Sequence, residues 1–252
     1  ARLVPAVALL VDDLGVHFHA VQPSRMEQRI QQSLTPDHHN RARELQQRWC
    51  AQRLSKLNPA RESAAPAEPF VLVVDQSAGD CSIGLGQAGP ESFRRMLQEA
   101  LRDQPDCLVV VKVHPDGIRG RARGHFRRQD LQHPRIRICA DGLHPAALLE
   151  QAQAVYVVTS QMGFEALLWG RNVHCFGMPF YAGWGLTRDR LLAPVRRGQS
   201  MPLEALVHAA LVAGTRCVDP HHHQPCSIET LMDAIGLQRR LQRANPQRVE
   251  AF

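Results

Sequence analysis

The stretch FVLVVDQSAGDCS, residues 70–82, decides the fold of this chain. Its first five residues are continuously apolar and mostly β-branched or aromatic, which is typical of a strand buried on both faces of a parallel sheet. An acid, a glycine and short polar side chains follow at once. The pattern therefore predicts a buried strand that ends at Asp75 and opens into a polar loop.

Similar apolar runs alternate with amphipathic helical patterns along the rest of the chain. Strands are predicted at 107–115, 134–140, 155–160 and 172–177, and helices at 91–103, 144–154 and 163–170, with two more helices within 203–241. This alternation indicates a parallel sheet covered by helices on both faces, and so an α/β fold.

The N-terminal quarter of the chain has a different pattern. Residues 26–56 are predicted to be mostly helical, with a restart at Thr35 and Pro36, a cap followed by a first-turn proline. Residues 58–69, rich in alanine, proline and glutamate, are typical of a linker. We therefore expect a boundary between a helical part over 1–62 and an α/β part over 70–241.

The charge and composition of the chain limit the classes of molecule that it is expected to bind. The net charge is +6, which favours an anionic partner such as a nucleotide, nucleic acid, acidic glycan or lipid headgroup. The arginine-rich run 117–128 contains only Phe126 as an aromatic residue, a poor match to a nucleic-acid stacking surface. Seven scattered cysteines without a CxxC motif are typical of reduced thiols, and no apolar run is long enough to span a membrane.

Ligands of such sheets bind beyond the carboxyl ends of the strands, which directs attention to the residues that follow each strand. In the loop after the first strand, Asp80 is a candidate nucleophile or base that Ser82 could orient. An Asx-type turn is the alternative interpretation of this loop, and the segment alone favours it.

Two other strand ends carry polar chemistry. In TSQMGFE, residues 159–165, hydroxyls and backbone amides at a helix N-terminus could bind phosphate, and Glu165 could accept hydrogen bonds from a ribose. The alternative is that Ser160 and Glu165 simply cap the helix. In KVHP, residues 112–115, Lys112 and His114 share one side of a strand end and suit an anionic group, unless they are a surface lysine beside a core histidine.

Two further segments invite competing interpretations. CFGMPFYAGWGLT, residues 175–187, concentrates aromatic residues and glycines after a strand. It either forms flat walls beside a ligand or closes the core. CVDPHHHQPC, residues 217–226, matches no common zinc-finger spacing, and a loop is the favoured interpretation.

Taken together, these segments resemble the capsule polysaccharide biosynthesis family, the KpsC-type β-Kdo transferases. The likeness runs from about residue 5 to 235 and is most specific over 159–190. Six motifs occur in the family's order: SKLN (55–58), DQSAGDCSI (75–83), KVHP (112–115), HPAALL (144–149), the segment 159–190, and PCSIE (225–229).

The resemblance implies a GT-B-like glycosyltransferase module: a Rossmann-type parallel sheet with helices on both faces plus a partial N-terminal lobe. It implies retaining transfer of β-Kdo from CMP-Kdo to an anionic glycolipid, a lysophosphatidylglycerol terminus, at the cytoplasmic face of the inner membrane. No cofactor, metal or nucleic acid is expected. Peripheral contact with the membrane and with the capsule export machinery is also expected.

The resemblance also assigns roles to individual residues. The expected catalytic residues are Asp80 and His114; the expected nucleotide-binding residues are Lys112, His114, Pro115, Thr159, Ser160, Gln161, Gly163 and Glu165; and the expected substrate-binding residues are Gln76, Ser82, Tyr181 and Trp184.

The chain departs from the family pattern in its N-terminal part. An acidic Glu-Asp-Gly-Phe segment that contributes to catalysis in the family has no counterpart here, and HFHA, residues 17–20, stands where an aromatic-Asp pair is usual. The first lobe is therefore expected to be truncated. A non-catalytic component that binds nucleotide or polysaccharide during capsule assembly is the alternative function.

Overall fold

A computed structural model describes residues 7–56, 58, 60–62, 64–113, 124–139 and 144–244. The strands are β1 (Ala8–Leu10), β2 (Phe70–Val74), β3 (Leu108–Lys112), β4 (Ile136–Cys139), β5 (Ala154–Val157), β6 (Asn172–Cys175), β7 (Arg188–Asp189), β8 (Thr215–Val218) and β9 (Pro225–Cys226). The α-helices are α1 (Arg25–Ile30), α2 (Pro36–Ala51), α3 (Cys81–Leu85), α4 (Pro90–Asp103), α5 (Ala146–Gln151), α6 (Met162–Leu168), α7 (Leu203–Val207) and α8 (Ile228–Ala244). A π-helical turn, His208–Ala213, continues α7.

Six strands form a sheet in the order β4-β3-β2-β5-β6-β7, and every neighbouring pair is parallel. The chain leaves β2 on one side through β3 and β4, then crosses back and continues on the other side through β5. This is the Rossmann order, which confirms the predicted α/β fold. The reversal opens a crevice between the carboxyl ends of β2 and β5, where such sheets bind ligands.

Both faces of the sheet are buried, as the apolar runs predict. Along β2, Phe70, Leu72 and Val74 belong to one hydrophobic core, whereas Val71 and Val73 belong to the other. The second core contains the apolar stripe of α4, and the first contains side chains from α1, α2, α5, α6 and α8. Successive side chains of β2 therefore point to opposite faces of the sheet and pack in two different cores.

The N-terminal helices share a hydrophobic core with the sheet. Met26 of α1 and Leu45 of α2 belong to the same core as Leu72 and Val155. As predicted, Thr35 caps α2: its hydroxyl accepts a hydrogen bond from the amide of His38 at 3.3 Å. The described part of 1–62 thus shares a hydrophobic core with the Rossmann sheet, and the predicted division into two lobes stays a prediction.

A small antiparallel sheet connects the two ends of the described chain. Strand β1 pairs with β8, and β8 pairs with β9. The sequence predicts only two helices over 203–241, so the hairpin between them was missed. Its strands are four and two residues long, too short to give a hydrophobic period. No helix of the described residues is long and apolar enough to cross a membrane.

Candidate functional site

A hydrogen-bonded cluster of four polar side chains occupies the crevice between β2 and β5. Gln76, directly after β2, donates through Nε2 to the Thr159 hydroxyl at 3.0 Å and to Asp80 Oδ2 at 3.2 Å. The amide of Thr159 donates back to Gln76 Oε1 at 2.9 Å, and the hydroxyls of Ser82 and Thr159 lie 3.0 Å apart. The structure therefore brings Thr159 of one predicted strand end together with Gln76, Asp80 and Ser82 of another.

Two glycines leave room for Thr159 at the centre of this cluster. A Cβ atom on Gly86 would lie 2.5 Å from the Thr159 methyl carbon, and one on Gly177 would lie 2.8 Å from it. The loops after α3 and β6 therefore approach β5 closely. In the segment 175–187, Gly177 therefore allows the backbone to pack closely against Thr159.

Asp80 is exposed and holds the N-terminus of α3, as the Asx-turn interpretation predicts. Its Oδ1 accepts a hydrogen bond from the amide of Ser82 at 2.9 Å. Partial burial raises the pKa of Asp80, but hydrogen bonds from Ser82 and Gln76 and the charge of Lys56 lower it, and the net pKa lies below its usual value. The carboxylate is therefore ionised at neutral pH, as a nucleophile must be.

Glu165 is buried at the same edge of the sheet, with 2% of its surface exposed. Its Oε1 accepts a hydrogen bond from the backbone amide of Lys56 at 3.1 Å, and Oε2 has no hydrogen-bond partner. Burial raises the pKa of Glu165 to about 7, opposed by hydrogen bonds from Lys56 and Ser55 and by the charges of Lys56 and Lys112. The capping interpretation is wrong for Glu165, because its carboxylate contacts a distant segment.

The remaining residues predicted at the start of α6 have mostly local partners. The Ser160 hydroxyl accepts a hydrogen bond from the amide of Met162 at 3.3 Å, which agrees with the capping alternative. Gln161 is exposed. The amide of Gly163 donates to the Ser160 carbonyl at 3.0 Å, and a Cβ atom on Gly163 would lie 2.3 Å from the Tyr181 hydroxyl. Gly163 thus accommodates Tyr181, and its nucleotide-binding role stays a prediction.

Lys112 is not the surface lysine of the alternative interpretation. It ends β3, is 2% exposed, and its charge acts on both Glu165 and His144. Burial and the charges of Arg239, Arg53 and Lys112 lower the pKa of His144 to about 3, which leaves that imidazole neutral. The predicted residues His114 and Pro115 lie outside the described residues.

Tyr181 and Trp184 do not form the predicted walls of a ligand site. Both side chains are fully buried in the core that contains the N-terminal helices. The Tyr181 hydroxyl donates to the Ser160 carbonyl, and Trp184 Nε1 donates to the Phe180 carbonyl at 2.9 Å. Phe180 is partly buried and lies 5.7 Å, between ring centroids, from His17. The alternative interpretation, that these aromatics close the core, is the one the structure supports.

No metal centre is visible in the part of the chain that the structure describes, where no group of three or more histidine, cysteine or acidic residues could hold an ion. The histidine-rich segment 217–226 closes the hairpin between β8 and β9. Within it, His222 Nδ1 lies 3.1 Å from Asp219 Oδ2.

The fold agrees with comparisons to known proteins. A family model described as "Capsule polysaccharide biosynthesis protein" matches residues 22–216. The chain belongs to this family.

Curated relatives in the family are longer than this chain. It is 34% identical over 250 residues to the capsule polysaccharide modification protein LipA of Neisseria meningitidis serogroup B, covering 94% of this chain and 35% of that protein. It is 32% identical over 232 residues to the lipopolysaccharide-processing protein LpsZ of Rhizobium meliloti, covering 86% of this chain and 51% of that protein. The chain thus spans between about a third and a half of the length of these relatives.

Two solved structures resemble the fold closely. The Thermosulfurimonas dismutans KpsC β-Kdo 2,4 transferase has a TM-score of 0.85 and 35% identity, over 92% of this chain and 74% of that one. The β-Kdo 2,7 transferase of KpsC from the same organism has a TM-score of 0.73 and 26% identity, over 92% and 72%. The chain is therefore built like these GT-B-like proteins over most of its length.

Two residues without a predicted role form hydrogen bonds that hold neighbouring segments at the edge of the sheet. Asp75 Oδ1 accepts hydrogen bonds from the amides of Gln76 at 2.9 Å and His125 at 3.1 Å, which anchors the end of the arginine-rich run beside β2. Lys56 of the SKLN motif reaches Glu165 although 109 residues separate them. The scarcity of lysine in the sequence could have drawn attention to Lys56.

Proposed function

We propose that this chain is the nucleotide-sugar-binding part of a Kdo transferase in capsule polysaccharide biosynthesis. It transfers β-Kdo from CMP-Kdo, with retention of configuration, to a lipid-linked acceptor, lysophosphatidylglycerol bearing Kdo. It works in the cytoplasm, at the inner face of the inner membrane. The observation that carries the proposal is the exposed, ionised Asp80 held by Gln76 and Ser82 in the crevice of a KpsC-like fold.

The geometry suits a double displacement. An oxygen of the Asp80 carboxylate forms a bond to the anomeric carbon of Kdo while the bond from that carbon to the phosphate oxygen breaks, and CMP leaves with the electron pair. An acceptor hydroxyl then attacks the same carbon, loses its proton to a base, and releases the carboxylate. Two inversions give net retention.

The other residues of the crevice hold the nucleophile in place. Gln76 and Ser82 bind the Asp80 carboxylate by hydrogen bonds, which fix its direction and keep it ionised. Lys112, buried at the end of β3, supplies positive charge to this edge of the sheet. His114 and Ser160 remain the residues that we assign to the CMP phosphate, where positive charge and donors stabilise the leaving group.

Calorimetric titration of the purified chain with CMP tests the proposal, with AMP and UMP as controls. We expect selective binding of CMP that is lost in Ser160→Ala and His114→Ala and kept in Asp80→Ala, because Asp80 acts on the sugar. Transfer from CMP-Kdo should disappear in Asp80→Ala and Asp80→Asn. A folded chain that does not bind CMP would rule the proposal out.

Binding of CMP without transfer would favour the alternative, a non-catalytic component of capsule assembly. The transfer assay should therefore use a lysophosphatidylglycerol acceptor that already carries Kdo. Mass spectrometry of the Asp80 peptide after exposure to CMP-Kdo without acceptor adds a direct readout, the mass of one Kdo on the carboxylate.

A further inference from the structure

Lysine is rare in this chain and is confined to one place in the fold. Of the 30 lysine and arginine residues only two are lysines, Lys56 and Lys112. They lie far apart in sequence, yet the charges of both act on the buried carboxyl of Glu165. Lys112 is 2% exposed, whereas Lys56 is exposed, so Lys56 is the lysine that a ligand can reach.

The backbone of Lys56 is fixed although its side chain is exposed. Its amide donates to Glu165 Oε1 at 3.1 Å, one turn into α6. The preceding residue, Ser55, is 2% exposed, and its amide donates to Asn58 Oδ1 at 2.9 Å. The segment is thus tied to the helix that follows β5, beside the crevice.

The Lys56 side chain lies close enough to the crevice for its positive charge to act on the Asp80 carboxylate. Its charge contributes to the environment of the Asp80 carboxylate, which is joined through Gln76 to Thr159 at the end of β5. The ion pairs formed by the described residues use arginines and one histidine, and Lys56 takes part in none of them. Among the described residues, no acidic side chain forms an ion pair with Lys56 that would compete with an anion in the crevice.

We propose that Lys56 binds the anionic group of the donor in the crevice, a phosphate or a sugar carboxylate, and so offsets its repulsion from ionised Asp80. This inference rests on the proposed function. An ammonium is a compact point charge with three donors on a flexible stem, and it can follow an anionic group that moves during a reaction. A guanidinium presents its donors in a rigid planar fork, which favours fixed, two-pronged partners over a group that moves.

Amine labelling tests the proposal directly because the chain offers so few amines. An acetylating reagent, followed by peptide mass spectrometry, reports the labelling rates of Lys56 and Lys112 separately. We expect Lys56 to react readily and CMP or free Kdo to slow its labelling at least several-fold, while cytidine, which has neither anion, does not. Protection by CMP alone assigns the phosphate to Lys56, and protection by Kdo alone assigns the carboxylate.

Variants of Lys56 give a second, independent readout. Lys56→Ala should weaken binding of the protecting ligand about ten- to a hundredfold, the effect of losing a charged hydrogen bond. Lys56→Arg should recover part of the affinity. Arg216→Ala removes an exposed cation on β8 and serves as the matched control, with no expected change. Because Glu165 binds the backbone of residue 56, these variants should keep their thermal stability.

Failure of this inference is distinguishable from failure of the proposed function. If the wild-type chain binds CMP but neither ligand protects Lys56, and Lys56→Ala binds with unchanged affinity, the inference is wrong and the transferase proposal stands. If the folded wild-type chain binds neither CMP nor Kdo, both are wrong.

Discussion

At the scale of single residues, the contact between Gly163 and Tyr181 shows why a glycine in a predicted phosphate site has a packing role. A Cβ atom at position 163 would lie 2.3 Å from the Tyr181 hydroxyl and 2.7 Å from its ring carbon Cζ. We expect Gly163→Ala to lower the free energy of unfolding by about 1–3 kcal/mol, the usual effect of overpacking a core. Urea denaturation measures this change.

Gly84→Ala is the matched control for that substitution. Gly84 lies within α3, and a Cβ atom there meets nothing within 4 Å. Since alanine is the better helix former, the unfolding free energy should stay the same or rise by up to about 1 kcal/mol. Equal destabilisation by both substitutions would mean that Tyr181 does not fill the space at Gly163.

The buried carboxyl of Glu165 gives a prediction about pH. Its pKa is about 7 in the folded chain, whereas that of an ordinary glutamate is 4.5, so the folded state binds the extra proton. Its contribution to stability is therefore complete below about pH 4.5 and is lost as pH rises through about 7. At pH 8 Glu165→Gln should be more stable than wild type by up to about 3 kcal/mol, and at pH 4.5 the two should be similar.

Thermal or urea unfolding of wild type and Glu165→Gln between pH 4.5 and 8 measures the difference in their free energies of unfolding. Because the other titratable groups are the same in both proteins, their contributions cancel in this difference. Glutamine keeps an oxygen that can accept from the Lys56 amide, so the position of the SKLN segment is preserved. A stability difference that does not change with pH would contradict the prediction.

At the scale of elements, one ion pair joins the first helix to the loop before α7. Arg197 is fully buried and donates through Nε to Glu27 of α1 at 2.5 Å, and the same carboxylate accepts from Arg196 at 2.7 Å. Glu27→Gln leaves a buried guanidinium without its counter-charge. We expect a loss of about 3–5 kcal/mol in unfolding free energy.

The exposed pair between Arg43 and Glu204 supplies the comparison. Its arginine side chain is 54% exposed, and Glu204→Gln should cost under about 1 kcal/mol. Chemical denaturation of the two variants side by side gives both values. Similar losses in the two variants would mean that burial does not set the strength of the Glu27 pair.

Helices and strands could be predicted from sequence where a hydrophobic pattern extends over several residues. They could not be predicted where a strand is only a few residues long and its partner lies far along the chain. The buried strands are continuous apolar runs and helix α4 has a clear helical period, so five of the six strands of the sheet were predicted, and only the two-residue strand β7 was not. Asp80, Gln76, Ser82 and Thr159 could be placed at one edge of the sheet because each follows a strand, and their functional roles stay predictions. Tyr181 and Trp184 were misplaced because no local pattern tells a buried aromatic from one that lines a ligand site. Lys56 had no predicted role because its contact spans 109 residues.

At the scale of the whole molecule, the first core joins N-terminal helices, sheet and C-terminal helix. Such sharing predicts a single cooperative unfolding transition rather than separate loss of 1–62 and 70–241. Trp184 is fully buried in this core, so tryptophan fluorescence reports it, while far-ultraviolet circular dichroism reports the helices. The two curves should coincide in urea, and a second transition in either would show independent lobes.

The pairing of β1 with β8 has a consequence for how the protein is made. Ala8 lies opposite Cys217, so a ribosome must add about 200 residues before the first strand finds its partner. At typical elongation rates of about 5–20 residues per second, that wait is about 10–40 seconds. During it, Leu9 and Leu10 of β1, still 59% and 37% exposed in the finished fold, have no sheet to join. Newly made chains should therefore depend on chaperones that shield this N-terminal segment.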